Sequence, residues 1–177
     1  MKLINPFKRS YTSKELEFFQ FLKGVRLFEE LNFEQMSYFI PSMHLRVYKM
    51  NEAVFFRGDP SHALYLLKEG EITLNIDIRD RFEDLGTLYE NKSFGDNALV
   101  PEAKRIYNSI VSSEVAKIYV IPQINIFEIF DHHPKTKAKV LESYLKQQDD
   151  YMNRLFSSYK KNFGFFDLGH VYGKVPK

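Results

Sequence analysis

The sequence predicts a mainly β domain, a sandwich or jelly roll, with helices at both ends. Three observations lead there. From Met43 to Ile121, short β-branched and aromatic runs are separated by Gly, Asn, Asp and Pro. Within that stretch Glu71 to Ile78 alternates polar and aliphatic residues strictly, the period that sends one face of a strand to a core and the other to water. On either side the apolar residues recur at three- and four-residue steps, the spacing of a helical stripe. The 177 residues and 21.0 kDa fit one core with a terminal appendage. A content of 44% apolar and 16% aromatic residues can fill that core and excludes a fully disordered chain.

The elements follow in order. Thr12 opens Thr-Ser-Lys-Glu, a capping box in which Glu15 answers the Thr12 backbone, so a helix is expected from there to Gly24 with Leu16, Phe19 and Leu22 along one side. Leu27 to Leu31 reads as a turn or one-turn helix, and Phe33 to Ile40 as a short helix stopped by Pro41. Strands are expected at Leu45–Tyr48, Val54–Phe56, Ala63–Leu67, Glu71–Ile78, Gly86–Tyr89, Ile106–Ser112 and Val115–Ile121, closely enough spaced for a sandwich or jelly roll. After Pro122 a short helix is expected over Ile124–Phe130, a break at Asp131 to Pro134, and a long helix over Lys135–Lys160. Along it Ala138, Leu141, Leu145, Gln148, Met152, Leu155 and Tyr159 form a heptad seam with one polar member, suited to a second copy or to folding back on the β body. The expected organisation is 1–26 N-terminal segment and helix, 27–134 β body, 135–160 C-terminal helix and 161–177 an adaptable tail containing Phe163, Phe165 and Phe166.

Composition narrows the function classes. A net charge of +2 is too small to serve as an electrostatic footprint for nucleic acid or an anionic membrane. The absence of Cys removes disulfides, thiolate zinc sites and thiol nucleophiles and suits a reducing cytoplasm, the expected location. The longest apolar run, Ala63 to Leu67, is five residues, against the ~20 that a membrane helix needs. Nothing near Met1 resembles a secretory signal. His44, His62, His132, His133 and His170 are scattered, so no metal site is expected, and His132 and His133 suit a helix C-terminus. No nucleophile elbow, phosphate-binding Walker loop or telling carboxylate pair appears, so the chain is not expected to be an enzyme.

Several segments together carry a resemblance. They are Leu27-Phe28, Phe55 to Asp59, Leu64 to Leu74 and, most telling, Phe94-Gly95-Asp96-Asn97-Ala98-Leu99 with Arg105 ten residues after Gly95. From about Leu27 to Leu145 the chain resembles the cyclic nucleotide-binding domain family, the regulatory jelly roll of catabolite-activator-type transcription factors, cyclic-nucleotide-dependent kinases and cation channels. Gly58, Gly70 and Gly95 stand where that family has glycines, and Asn51 and Asn91 where many members have one more. The resemblance implies a jelly roll of about eight strands with N-terminal helices and a long C-terminal helix. It also implies a phosphate cassette. Gly95 lets the backbone approach the ligand, Asp96 accepts the ribose 2′-hydroxyl, the Asn97-Ala98-Leu99 turn offers amides to the phosphate, and Arg105 neutralises it. Phe94, Gly95, Asp96, Asn97, Ala98, Leu99, Arg105 and Ser109 are the ligand contacts so implied.

Two departures stand out. Asp96 replaces the family's Glu and reaches roughly 1 Å less far. Ile106-Tyr107 replaces small residues and Ser109 arrives one position late, which predicts a bulge or register slip and lets Tyr107 occupy the pocket. Asp96 and Arg105 are then ligand contacts or an ion pair over an empty pocket, and Asn97 a ligand donor or a helix N-cap. The expected function is a stand-alone sensor for a cyclic nucleotide, cyclic AMP by family default, with no other cofactor, signalling through the C-terminal helix by way of the 124–130 helix. The alternative is a degenerate, ligand-free member acting as a dimeric interaction scaffold. A homodimer through the 138–159 seam is expected. Direct DNA binding is not, since 17 residues follow Lys160 where family transcription factors carry a helix-turn-helix domain.

Overall fold

The structure, a computed structural model, describes residues 11–79 and 81–163. The basic Lys8-Arg9 pair and the tail beyond Phe163, with Phe165, Phe166 and His170, lie outside the described residues. The chain divides into one unit up to Ser143 and a second from Tyr144 onward, whose described residues belong to the last helix.

Helix α1 spans Ser13–Gly24 and starts where the capping box places it: the Thr12 hydroxyl accepts from Glu15 N at 3.2 Å and the Glu15 carboxylate accepts from Thr12 N at 2.8 Å. Phe19 and Leu22 are its fully buried side chains, and Phe18 and Phe21 pack on the Tyr119 ring. A second capping box, Asn32 with Gln35, starts α2, Phe33–Ser37. That helix is shorter than its sequence suggests. It ends before Pro41, which sits inside a separate 3₁₀ turn, Ile40–Ser42, near whose start the missing N–H is harmless.

Eight strands follow: β1 His44–Lys49, β2 Ala53–Phe55, β3 Ala63–Glu69, β4 Ile72–Ile78, β5 Arg81–Leu88, β6 Ser93–Phe94, β7 Asn108–Val111 and β8 Val115–Pro122. They form two four-stranded antiparallel sheets in the orders β1-β8-β3-β6 and β2-β7-β4-β5. The core between them takes Leu67, Phe94, Ala116 and Ile118 from one sheet and Phe55, Ile72 and Val111 from the other. Gly70 closes the β3–β4 turn at φ +95°, where a Cβ would lie 2.5 Å from Val115 O, so no larger residue fits. Asn51 and Asn91 adopt positive φ (68° and 63°), the conformation for which Asn is the next best residue.

The alternating strand is buried less evenly than its pattern suggests. Ile72 is buried, Leu74 and Ile76 are half-buried, and Ile78 is 43% exposed. The cause is partner length: β7 pairs only with Ile72 to Asn75, and beyond it β4 has β5 alone. The first half of β5 escapes sequence detection because it is exposed on both faces and has no apolar period.

Helix α3, Gln123–His132, ends at His133, and α4, Pro134–Phe163, begins with Pro134 in the first turn, where its fixed φ suits a helix start. Thr136, Val140 and Ser143 form the buried face of α4 within the first unit. The seam residues lie elsewhere on the helix: Ala138 is exposed, and Leu145, Met152 and Leu155 are 65%, 48% and 64% exposed. No helix among the described residues is long and apolar enough to cross a membrane.

Candidate ligand cassette

The strongest sequence motif folds into one small structure. Strand β6 ends at Phe94, Gly95 turns the chain in the left-handed region (φ 65°, ψ 27°), and Asp96–Leu99 forms a 3₁₀ helix that Gly95 precedes as its cap. Only glycine fits. Its conformation is costly for other residues, and a Cβ would collide with Arg105 Nη1 and come within 3.1 Å of Arg105 Cζ and Tyr65 Cδ2.

Arg105 reaches this turn from the loop before β7. The Phe56–Asp59 turn anchors its backbone: Arg105 N donates to Asp59 O at 2.8 Å, and Gly58 N donates to Arg105 O at 2.9 Å. The side chain is 3% exposed. Nη1 donates to Gly95 O at 2.7 Å and Nη2 to Ala63 O at 2.6 Å, both short charge-assisted bonds. Arg105 Cζ lies 4.2 Å from the Phe55 ring centroid and 5.3 Å from that of Tyr65, so aromatic faces meet the cation where water is excluded. Nε is buried with no hydrogen-bond partner. Burial pushes the guanidinium below its ordinary value, while Tyr65, Tyr107 and Asp96 act to raise it.

Around the guanidinium the rings pack on one another. Tyr65 and Phe94, direct partners in the β3–β6 ladder, stack at 5.2 Å, and Phe55 lies 5.4 Å from Tyr65, 6.0 Å from Phe94 and 5.7 Å from Tyr107. The Tyr107 hydroxyl accepts from Gly95 N at 3.1 Å. Asp96 is 7% exposed. Burial raises its carboxyl above the ordinary carboxylate range, opposed by its own backbone amide and by Arg105.

Of the residues singled out in the sequence, Gly95, Asp96 and Arg105 come together at this turn. Phe94, Ala98 and Leu99 have buried side chains, so towards a ligand they offer backbone only. Asn97 is not an N-cap. It is the second residue of the 3₁₀ helix, and Gly95, which has no side chain, holds the cap position. Ser109 is fully buried in β7 with its Oγ unpartnered. The irregularity expected before it lies instead in β2, where Ala53 pairs with Ile110 and Phe55 with Ser109, leaving Val54 as the additional residue. The β4–β7 register through Ser109 is regular, so the cost of the late Ser falls on the neighbouring edge strand.

Three contributors have no signal of their own in the sequence. Phe55 and Tyr65 read as ordinary strand aromatics. Gln123, the first residue of α3, donates from Nε2 to Ala98 O at 2.9 Å and to Val100 O at 3.3 Å, while its backbone N donates to His62 O. These bonds tie the cassette helix to α3. Only cross-strand pairing and the placement of α3 bring such residues to the site.

Two antiparallel sheets with a glycine-capped 3₁₀ helix beside a buried arginine form the architecture to be placed in a class. The profile described as "Cyclic nucleotide-binding domain" matches residues 45–133, half of the chain, and the chain belongs to that family. The family is described as a binding domain. A curated relative, "cGMP-dependent protein kinase 2" of Mus musculus, is 24% identical over 166 residues, 88% of this chain and 21% of the kinase. The chain thus spans about a fifth of the curated relatives it matches. The fold is similar to the N-terminal domain of a transcriptional regulator from Streptomyces coelicolor A3(2), with TM-score 0.66 and 20% identity over 76% of this chain and 94% of that one. It is also similar to the regulatory domain of Toxoplasma gondii PKA with cAMP, with TM-score 0.61 and 17% identity over 68% of this chain and 46% of that one.

Proposed function

We propose that this chain is a sensor module that takes the phosphate of a cyclic nucleotide, cyclic AMP, on Arg105 and the amides of the 97–99 turn, with Asp96 directed to the ribose. The observation that carries this reading is Arg105. It is a guanidinium almost wholly withdrawn from water, with Nε unmet, beside a turn of amides. Burying a cation is expensive unless an anion and further hydrogen bonds compensate it, and a cyclic phosphate supplies both. The unpartnered Oγ of Ser109, whose strand neighbour Phe55 lies under the guanidinium, adds a second unmet polar atom.

The signal would leave by Gln123. A ligand that alters the 3₁₀ helix alters the carbonyls of Ala98 and Val100 that Gln123 holds, and so biases α3 and the start of α4. Such coupling requires different affinity for the two arrangements, since equal affinity shifts no population. The exposed Leu145, Met152 and Leu155 stripe supports pairing with a second copy through the 138–159 seam. The absence of cysteine fits work in the cytoplasm.

A second reading, a ligand-free dimeric scaffold, is favoured by one observation: the guanidinium fills the space that Gly95 leaves and bonds to protein carbonyls. Isothermal titration with cyclic AMP and cyclic GMP on the native chain and on Arg105→Ala separates the two. Heat with cyclic AMP that disappears in the variant supports the sensor. Heat with cyclic GMP alone keeps the sensor and changes its ligand. No heat with either nucleotide supports the scaffold.

A further inference from the structure

Tyr107 departs most from the small residues that follow the family's arginine, and the structure gives its hydroxyl a specific task. It accepts the Gly95 N–H at 3.1 Å. The carbonyl of the same glycine accepts Arg105 Nη1 at 2.7 Å. Both polar groups of the residue that shapes the cassette are therefore taken by protein side chains. The Tyr107 ring packs on Phe55, the ring on which the guanidinium stacks, so one aromatic cluster holds both partners of Gly95.

We propose that the Tyr107 hydroxyl competes with an anionic ligand for the Gly95 amide and so sets the affinity of the cassette, an inference that rests on the sensor reading above and adds that amide to the donors named there. With the hydroxyl in place the Gly95 amide is taken by protein, and Arg105 bonds to the carbonyls of Gly95 and Ala63. An entering phosphate must loosen this arrangement, and the binding free energy is reduced by whatever the hydroxyl's bond contributes. Removing only the hydroxyl leaves the ring packing in place and leaves the Gly95 amide unmet until ligand arrives.

The test is Tyr107→Phe in the full chain, titrated with cyclic AMP and cyclic GMP, with hydrogen exchange of the Gly95 amide followed by NMR in the free state. One net hydrogen bond corresponds to about two- to tenfold in an equilibrium constant. Expected are a faster-exchanging Gly95 amide and binding about two- to tenfold tighter than in the native chain. Equal or weaker binding by the variant overturns the competition and leaves the sensor reading standing. Unchanged Gly95 exchange likewise overturns the competition. Absence of binding by both proteins overturns the sensor reading and, with it, the hydroxyl as a ligand competitor.

Discussion

Gly95→Ala tests the cassette geometry directly, because the structure separates two costs at that position. The first is backbone conformation: φ is 65°, and a left-handed residue with a Cβ costs roughly 1–2 kcal/mol. The second is collision, since the new methyl would enter the space of Arg105 Nη1 and lie 3.1 Å from Cζ and from Tyr65 Cδ2. Tyr65 is held in the β3–β6 ladder, so the guanidinium must give way, and its bond to Gly95 O is lost. A hydrogen bond from a charged group is worth about 1.5–3 kcal/mol, and the two costs together come to about 2.5–5 kcal/mol. Gly58→Ala supplies the control. Gly58 also has positive φ, 88°, but its Cβ would meet nothing within 4 Å, so only the backbone cost applies. Urea unfolding of the native chain and both variants, with slopes compared to confirm a common mechanism, measures the difference. If Gly95→Ala loses no more stability than Gly58→Ala, the guanidinium does not occupy the space assigned to it and the packing argument fails.

Asp96→Asn addresses pH. Burial raises the Asp96 carboxyl in the folded state, so its contribution to stability is fully present below the unfolded-state value of about 3.9 and is lost as pH rises through the folded value. An amide does not titrate, and the stability of Asp96→Asn relative to the native chain should therefore rise from about pH 4 towards neutrality. Thermal unfolding across that range checks it, and a flat or falling difference would refute the assigned cause. For the C-terminal seam, Leu145→Asp combined with Leu155→Asp places charge at two positions that are about two-thirds exposed in the single chain. Sedimentation should show a dimer for the native chain and a monomer for the variant, while the melting transition of the β domain moves little. A native monomer at high concentration would remove the dimer.

Much of the architecture was legible because it rests on local rules. Thr12 and Glu15 announce the first helix by side-chain chemistry alone, and Gly70 and Asn51 mark turns that need positive φ, while Pro134, expected in the break before the last helix, is its first residue. The cassette was legible for the same reason, since Phe94 to Leu99 and Arg105 form a local motif. The β6 strand was not, because two residues carry no period, and neither was the first half of β5, exposed on both faces. The second capping box, Asn32 with Gln35, was in plain sequence view and shows that a good start does not set a helix's length. Where α2 stops is decided by what packs after it.

The amino-acid sequence by itself determined the family, the order of most helices and strands, and the arginine and glycine that meet at the cassette turn, because each depends on residue type at short spacing. It could not determine what surrounds the guanidinium. Phe55, Tyr65 and Tyr107 are separated by up to 52 residues, and they converge on Arg105 only when β2, β3 and the start of β7 are brought together by the two sheets. Whether a buried charge faces a carbonyl, a ring or an open hollow is a property of long-range strand pairing, and only the folded chain specifies it.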